Sequence, residues 1–123
     1  MSPAVPPICI LDDEPSVLRS IKRLLESDGI DALGFERAGD FLAHAREHEV
    51  KLAVLDVRLV DGDGLEVQAE LRRISPGTRV IVMSGRVRTG LQESVLQQGG
   101  SAFLLKPFED EVFLAHVRRA LTN

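Results

Sequence analysis

The segment ICILDDEP, residues 8–15, joins four apolar residues to three consecutive acids and a proline that suits the first turn of a helix. Four more apolar runs follow along the chain, at residues 32–35, 52–55, 80–83 and 102–105. Short runs that are apolar at every position predict strands covered on both faces, as in a parallel sheet. The opening segment therefore predicts a buried strand that ends on acids and leads into a helix.

Apolar residues recur with a helical period between these runs. The stripes are clearest after the first and last runs, at Val17, Leu18, Ile21, Leu24 and Leu25 and at Phe113, Leu114, Val117, Ala120 and Leu121. Weaker stripes predict helices at residues 38–49, 64–74 and 89–98, and Gln68 falls near the apolar side of the second. Because strands and helices alternate five times, we expect an α/β fold, a (βα)5 doubly wound, five-stranded parallel sheet with the flavodoxin-like strand order 2-1-3-4-5.

Length and composition limit the classes of protein that fit. The chain has 123 residues and a net charge of −4, which predicts one domain over residues 8–123 after a flexible segment at residues 1–7. The single cysteine, Cys9, lies in the first apolar run and is expected to fill the core. The chain has no long basic run, no secretory signal and no apolar run of roughly twenty residues. We therefore expect a cytoplasmic protein that neither enters a membrane nor binds nucleic acid through this segment.

Polar residues follow four of the predicted strands, and these are the candidates for a functional site. They are Asp12 and Asp13, Asp56, Ser84, and Lys106. In a sheet of this order the carboxyl ends of neighbouring strands meet at one edge, so these side chains are predicted to converge. Clustered carboxylates repel one another unless a cation is present, and Mg²⁺ (or Mn²⁺) suits such oxygen ligands.

The same residues have simpler explanations when each is taken alone. Asp12 and Asp13 could cap the helix that begins at Pro15, and Ser84 could be a turn residue. Phe103 could be a core side chain, and Asp61 and Asp63 are interpreted as loop and helix-start residues. The functional interpretation depends on the acids, the hydroxyl and the lysine occurring together.

Together these motifs resemble the receiver domain of two-component response regulators, from Ile8 to Leu121. The resemblance is carried by Asp12-Asp13-Glu14-Pro15, Leu55-Asp56, Asp63-Gly64, Met83-Ser84-Gly85 and Leu105-Lys106-Pro107-Phe108. It implies that Asp56 is the phosphoacceptor and that Asp13 is a direct metal ligand, with Asp12 acting largely through water. The backbone carbonyl of Arg58 would be a further metal ligand, and Lys106 would pair with the phosphoryl group.

The resemblance also implies a switch and partners. Ser84 and Phe103 would move together on phosphorylation, and the Lys106–Pro107 peptide bond would be cis. The phosphoryl group would come from the phosphohistidine of a sensor histidine kinase or a histidine phosphotransfer protein. A homodimer partner or output element would bind the face made by the fourth helix, fifth strand and fifth helix. Residues 41–43 and 106–112 are similar to receivers of nitrogen-fixation-type regulators, which act in transcription.

The loop after the acceptor departs from the family pattern. Family members often carry Met-Pro where this chain has Leu59-Val60. Arg58 and Arg86 lie two residues beyond Asp56 and Ser84, at positions of the kind that tune how fast the phosphoryl group is lost. Our hypothesis is that these two guanidinium groups shield the acyl phosphate from water and prolong its lifetime.

Two other classes of function fit the sequence less well. Phosphatases of the haloacid dehalogenase type carry an acid two residues after the nucleophile, where this chain has Arg58, which cannot release a proton at neutral pH. A degenerate receiver that acts only as a scaffold would not need Asp12, Asp13, Asp56, Ser84 and Lys106 together. The sequence thus favours a phosphoacceptor signalling domain, with self-catalysed transfer and dephosphorylation, over a conventional enzyme.

Overall fold

Five parallel strands form the main sheet of the computed structural model, which describes residues 6–59, 61–86 and 89–122. The strands, in chain order, are β1 (Ile8–Leu11), β2 (Ala32–Phe35), β3 (Leu52–Asp56), β4 (Arg58–Leu59), β5 (Gly62–Asp63), β6 (Arg79–Ser84) and β7 (Ala102–Leu105). The sheet order is β2-β1-β3-β6-β7, while β4 and β5 form a separate antiparallel pair. This is the predicted 2-1-3-4-5 order, because the two short strands do not join the main sheet. Residues 1–5 of the predicted flexible segment lie outside the described residues.

Five helices connect the strands. They are α1 (Pro15–Ser27), α2 (Ala38–Glu47), α3 (Gly64–Ile74), α4 (Leu91–Gln97) and α5 (Asp110–Thr122). Three predicted helix boundaries were wrong, one of them the end of α4, which is Gln97 rather than residue 98. Helix α2 stops two residues before residue 49, because His48 has extended backbone angles. Helix α4 begins at Leu91 rather than residue 89, because Gly90 has a φ of +79°, which a right-handed helix cannot include.

Among the described residues, no helix combines the length and the apolar character that crossing a bilayer requires.

The sheet is buried on both faces, and the alternation of side chains along each strand divides the core in two. On one face Ile10, Val54 and Ile81 pack with α1 and α5. On the other face Leu11, Leu55 and Val82 pack with α2, α3 and α4. This explains the apolar runs within the central strands β1, β3 and β6, whereas the edge strand β2 has exposed residues. Cys9 is fully buried in the second half of the core, and burial raises the pKa of its thiol to about 11, so it is an inert core residue, as predicted.

The hairpin of β4 and β5, which directly follows Asp56, was not predicted. Arg58 pairs with Asp63 and Leu59 with Gly62. The hairpin leads into α3 at Gly64, where a Cβ atom would overlap the backbone oxygen of Asp56 and lie 2.8 Å from the Cα of Val57. Glycine is required there because two backbone segments make contact.

Gln68, which weakened the predicted apolar stripe of α3, is a buried link to α4. Its side chain is 1% exposed, and its Nε2 donates a hydrogen bond of 2.9 Å to the carbonyl of Val95. The backbone N–H of Gly100 donates to the same carbonyl at 2.9 Å. The polar side chain therefore occupies a core position because it joins α3 to the C-terminal end of α4.

Candidate functional site

The candidate site lies at the carboxyl edge of the main sheet, where four strands end side by side. Asp12 follows β1, Asp56 ends β3, Ser84 ends β6 and Lys106 follows β7. Strand register explains the grouping, because Asp56 pairs with Met83 and Ser84 pairs with Leu105. Residues that are up to 94 positions apart in the chain therefore meet at one edge.

Three carboxylates form the acidic part of this edge. Asp12, Asp13 and Asp56 each offer an oxygen atom, and these atoms lie within 4.8 Å of one another. Asp12 is fully buried, Asp56 is 6% exposed and Asp13 is half-buried. Buried anions at this spacing repel one another strongly. The donor set consists of hard oxygen ligands with one partly open side, which fits Mg²⁺ or Mn²⁺.

Lys106 is the cation within this cluster. Its Nζ lies 2.9 Å from Oδ2 of Asp12 and 3.5 Å from Oδ2 of Asp56. The lysine is anchored by its backbone, since its N–H donates a hydrogen bond of 2.7 Å to the carbonyl of Ser84. The Lys106–Pro107 peptide bond that follows is cis.

The charges of the cluster do not cancel, and the pKa values of Asp56 and Lys106 are shifted. Burial and the charge of Asp12 raise the pKa of Asp56 above its usual value, although Lys106 and the backbone N–H of Arg58 favour the ionised form. The pKa of Lys106 is likewise above its usual value. Burial alone would lower this pKa, but the hydrogen bond and charge of Asp12 and the charge of Asp56 raise it by more. The cluster thus contains three carboxylates and one ammonium group, which contacts two of them. With the carboxylates ionised its net charge is negative, and a divalent cation would neutralise it.

Ser84 is buried at this edge, and its hydroxyl group bonds to its own turn. Its Oγ donates a hydrogen bond of 2.8 Å to the carbonyl of Arg86 and accepts one of 3.2 Å from the Arg86 N–H. Phe103 is half-buried and packs against the same half of the core as α4. It lines a groove of about 440 Å³ with Leu91, Leu105 and the start of α4. The side chains of Arg58 and Arg86 are exposed.

The predicted residues therefore fall into two groups. The structure brings Asp12, Asp13, Asp56 and Lys106 into one cluster, with Ser84 on the adjacent strand end. The second group, Phe103 with Arg58 and Arg86, has no hydrogen bond or ion pair from its side chains to that cluster among the described contacts. The predicted turn at residues 59–60 is described only up to Leu59.

Asp61 caps helix α2, a role that was not predicted from the sequence. Its carboxylate accepts hydrogen bonds from the backbone N–H groups of Ala38, at 2.9 Å, and Gly39, at 3.3 Å, at the start of α2. These bonds hold the pKa of Asp61 below its usual value. No local signal could have identified this role, because the partner residues lie 23 and 22 positions earlier in the chain. Asp63 is a helix-start residue, as interpreted, because it caps α3 by accepting from Leu65 N–H at 2.8 Å.

Comparison with known proteins gives the same answer for fold and family. The pattern of the response regulator receiver domain matches residues 8–118. The response regulator protein TodT of Pseudomonas putida is 31% identical over 121 residues, which are 98% of this chain and 53% of that protein. The transcriptional regulatory protein FixJ of Azorhizobium caulinodans is 34% identical over 115 residues, 94% of this chain and 54% of that protein. The chain thus spans about half the length of these two relatives.

Solved structures agree. A CheY-like receiver domain protein from Methanospirillum hungatei superposes with a TM-score of 0.90 and 27% identity, covering 96% of this chain and 94% of that one. The beryllofluoride-activated NtrC4 receiver domain dimer superposes with a TM-score of 0.88 and 29% identity, covering 92% and 93%. With the matched sequence pattern and the strand order, these similarities show that the chain belongs to the response regulator receiver domain family of two-component signalling.

Proposed function

We propose that this receiver accepts a phosphoryl group on Asp56 from the phosphohistidine of a sensor histidine kinase or a histidine phosphotransfer protein. The observation that carries the proposal is the convergence of Asp12, Asp13 and Asp56, with the ammonium group of Lys106 in contact with the first and the last of them. Asp12, Asp13, Asp56 and the Arg58 carbonyl would hold Mg²⁺ or Mn²⁺. When bound, the cation supplies positive charge that neutralises phosphoryl oxygens and the acidic cluster.

In the transfer step, one carboxylate oxygen of Asp56 attacks phosphorus and forms a new P–O bond. The P–N bond to the donor histidine breaks, and its electron pair leaves with the imidazole. Lys106 keeps its proton and pairs with a phosphoryl oxygen, for which its position 3.5 Å from Asp56 is suited. Asp12 orients Lys106 through their 2.9 Å contact. The chain is thus a phosphoacceptor that assists its own modification and later dephosphorylation.

A switch of conformation would follow from the phosphoryl group attracting Ser84. Its hydroxyl must exchange the carbonyl of Arg86 for a phosphoryl oxygen, a change of one neutral hydrogen bond for a charge-assisted one. Phe103, which lines the groove beside α4, would turn together with Ser84. The phosphorylated state would then shift the population of conformations of α4, β7 and α5.

The output face of this switch is proposed to be the α4–β7–α5 surface. Large apolar side chains are exposed on each of the three elements, at Leu96 on α4, Leu105 on β7 and Val112 on α5. Large exposed apolar side chains are common at surfaces that contact other proteins. A homodimer partner or an output element in a transcription factor would cover them. Leu96→Glu should weaken phosphorylation-dependent self-association in analytical ultracentrifugation without changing phosphorylation.

The central proposal is tested with a small phosphodonor, acetyl phosphate, in the presence of Mg²⁺. Intact-mass spectrometry should show one added phosphoryl group on the wild type and none on Asp56→Asn, because an amide is not a nucleophile here. Asp31→Asn, which changes an exposed acid away from the site, is the matched control and should be modified normally. An unmodified wild type, as in a scaffold-only receiver, or a modified Asp56→Asn protein would overturn the assignment.

We also propose that Arg58 and Arg86 lengthen the lifetime of the acyl phosphate by restricting access of water. Both side chains are exposed, and each residue lies two positions beyond a strand end of the site, at Asp56 and at Ser84. The double variant Arg58→Ala with Arg86→Ala should lose its phosphoryl group faster than the wild type after the donor is removed. An unchanged rate of dephosphorylation would contradict this part of the proposal.

A further inference from the structure

The hairpin that follows the acceptor is attached to helix α2 through one side chain, Asp61. Its two carboxylate oxygens accept hydrogen bonds from Ala38 and Gly39, the first two residues of α2. The residue at the N-cap position, Arg37, provides no side-chain hydrogen bond of its own. The first N–H groups of a helix have no hydrogen-bond partners within the helix. In α2 the first two bond to Asp61, which lies 23 and 22 residues further along the chain.

At its base the same hairpin is closed next to the end of the acceptor strand. The N–H of Gly64, which follows the hairpin, donates a hydrogen bond of 2.8 Å to the carbonyl of Val57, which precedes it, and within the hairpin Arg58 pairs with Asp63. The missing side chain of Gly64 lets the chain lie directly against the backbone of Asp56. The hairpin is therefore held between the acceptor strand and α2.

The hydrogen bonds of Asp61 to α2 take the place of a backbone constraint that this sequence lacks. Where family members often carry a proline after the acceptor, which fixes one backbone angle, this chain has Leu59-Val60. Two-residue strands alone hold a hairpin weakly. Arg58 lies on the first of these strands, two residues after Asp56. Any motion of the hairpin therefore also moves the backbone of Arg58.

We propose that Asp61 is a positioning residue for the metal site. By capping α2 it fixes the hairpin, and through the hairpin it fixes the backbone carbonyl of Arg58 that Mg²⁺ would use as a ligand. The inference rests on the proposed function, because it concerns the same cation. It extends that function to a residue outside the ligand set and to α2, which carries no ligand.

A purely structural cap makes a different prediction. If Asp61 only stabilised α2, its loss would lower the stability of the protein and leave the affinity of the folded state for Mg²⁺ unchanged. A positioning role lowers the affinity itself, because a mobile carbonyl must be ordered when the ion binds. The two roles are separated by measuring Mg²⁺ binding under conditions in which every variant is folded.

Four variants provide the test. Asp61→Ala removes the cap, while Asp61→Asn keeps an oxygen that accepts from Ala38 and is an equally good N-cap residue. Ala38→Pro removes the donor instead, at the first helical position, where proline is tolerated and the extended backbone of Arg37 suits it. Arg118→Ala breaks an exposed ion pair on α5 and is the control for a change of stability far from the hairpin.

The measurement is a Mg²⁺ titration followed by NMR of the backbone amides, since the chain has no Trp or Tyr to report binding by fluorescence. Asp61→Ala and Ala38→Pro should each raise the dissociation constant for Mg²⁺ by about three- to tenfold, less than the roughly 10- to 100-fold typical of groups that hydrogen-bond to ligands directly. Asp61→Asn and Arg118→Ala should bind as the wild type does. In Asp61→Ala, hydrogen exchange at Arg58 should accelerate with that at Gly39.

The outcomes are separable. If the wild type binds Mg²⁺ but Asp61→Ala and Ala38→Pro bind it equally well, the positioning role is refuted while the proposed function stands. Faster exchange at Gly39 without any change at Arg58 would also refute it, because the hairpin would then be rigid without its cap. A wild type that fails to bind Mg²⁺ at all would overturn both the proposed function and this inference.

Discussion

Two ion pairs join the beginning of the chain to its end, and they differ in burial. Lys106 contacts Asp12 at 2.9 Å across 94 positions, and Arg118 contacts Asp28 at 2.7 Å across 90 positions. In the first pair the side chains are 22% and 0% exposed. In the second pair they are 47% and 27% exposed. Similar chemistry and similar separation in sequence therefore occur in two very different environments.

The comparison shows how position determines what an ion pair does. Water screens the Arg118 pair, so it contributes little beyond linking α5 to the end of α1. The Lys106 pair is shielded from water, and its ammonium group contacts both Asp12 and Asp56, while Asp13 lies in the same cluster. Buried charges that are incompletely paired reduce stability. The proposed binding of a cation and a phosphoryl group at this edge of the sheet would therefore change the balance of buried charge, whereas the exposed pair lies away from that edge.

The largest effect is expected from removing the ammonium group of the buried pair. Lys106→Met should lower the free energy of unfolding by about 2–4 kcal/mol in metal-free buffer, because three carboxylates lose their only described cation. It should also reduce phosphorylation at least about 100-fold, since a charge-assisted contact to the phosphoryl group is lost. Urea denaturation with and without Mg²⁺ measures the first effect, and Mg²⁺ should restore part of the lost stability. A variant as stable as the wild type without Mg²⁺ would contradict this account of the cluster.

A smaller effect of opposite sign is expected from removing one of the anions. Asp56→Asn should raise the free energy of unfolding by about 1 kcal/mol in metal-free buffer, because burial and the charge of Asp12 disfavour the ionised carboxylate. Saturating Mg²⁺ should shrink the difference, since it stabilises only the form that binds it well. A destabilised Asp56→Asn protein would mean that the cluster is better balanced than its contacts indicate.

The two regions should also respond to pH with opposite signs. Asp56 has a folded-state pKa above 3.8, so the folded protein retains a proton that the unfolded chain has released, and stability rises as pH falls toward that pKa. The hydrogen bond from Arg118 lowers the pKa of Asp28 below 3.8, so its contribution is present above 3.8 and is lost as pH falls through the lowered value. Thermal unfolding with a chelator should therefore show a midpoint that rises as pH falls through the raised pKa of Asp56 and then falls below about pH 4. Asp56→Asn should abolish the rise and keep the fall.

The smallest effect is expected at the surface pair. Arg118→Ala should lower the unfolding midpoint slightly, and high salt should reduce the difference from the wild type because exposed charges are screened. Its phosphorylation by acetyl phosphate should equal that of the wild type. A loss of phosphorylation comparable to that of Lys106→Met would remove the distinction between the two pairs.

The main sheet and the edge that carries the site could be predicted from the sequence because their signals are local. Apolar runs such as ICIL at residues 8–11 identify buried strands, and helical periodicity identifies the segments between them. A parallel sheet then places Asp12, Asp56, Ser84 and Lys106 at one edge, since every strand ends there. The limits of α2 and α4 were less accurate, because single backbone angles at His48 and Gly90 decide them.

Only the tertiary structure decided which of these polar groups are partners. The sequence presents Lys106 with three acids, and packing places it closer to Asp12 than to Asp56. Asp61 is a loop residue in the sequence, yet its carboxylate caps α2. Gln68 weakens a helical stripe, yet it binds the carbonyl of Val95 in the core. The physical reason is the same in each case: patterns within a strand or helix record what is buried, whereas a hydrogen bond between distant residues depends on how the elements pack in space.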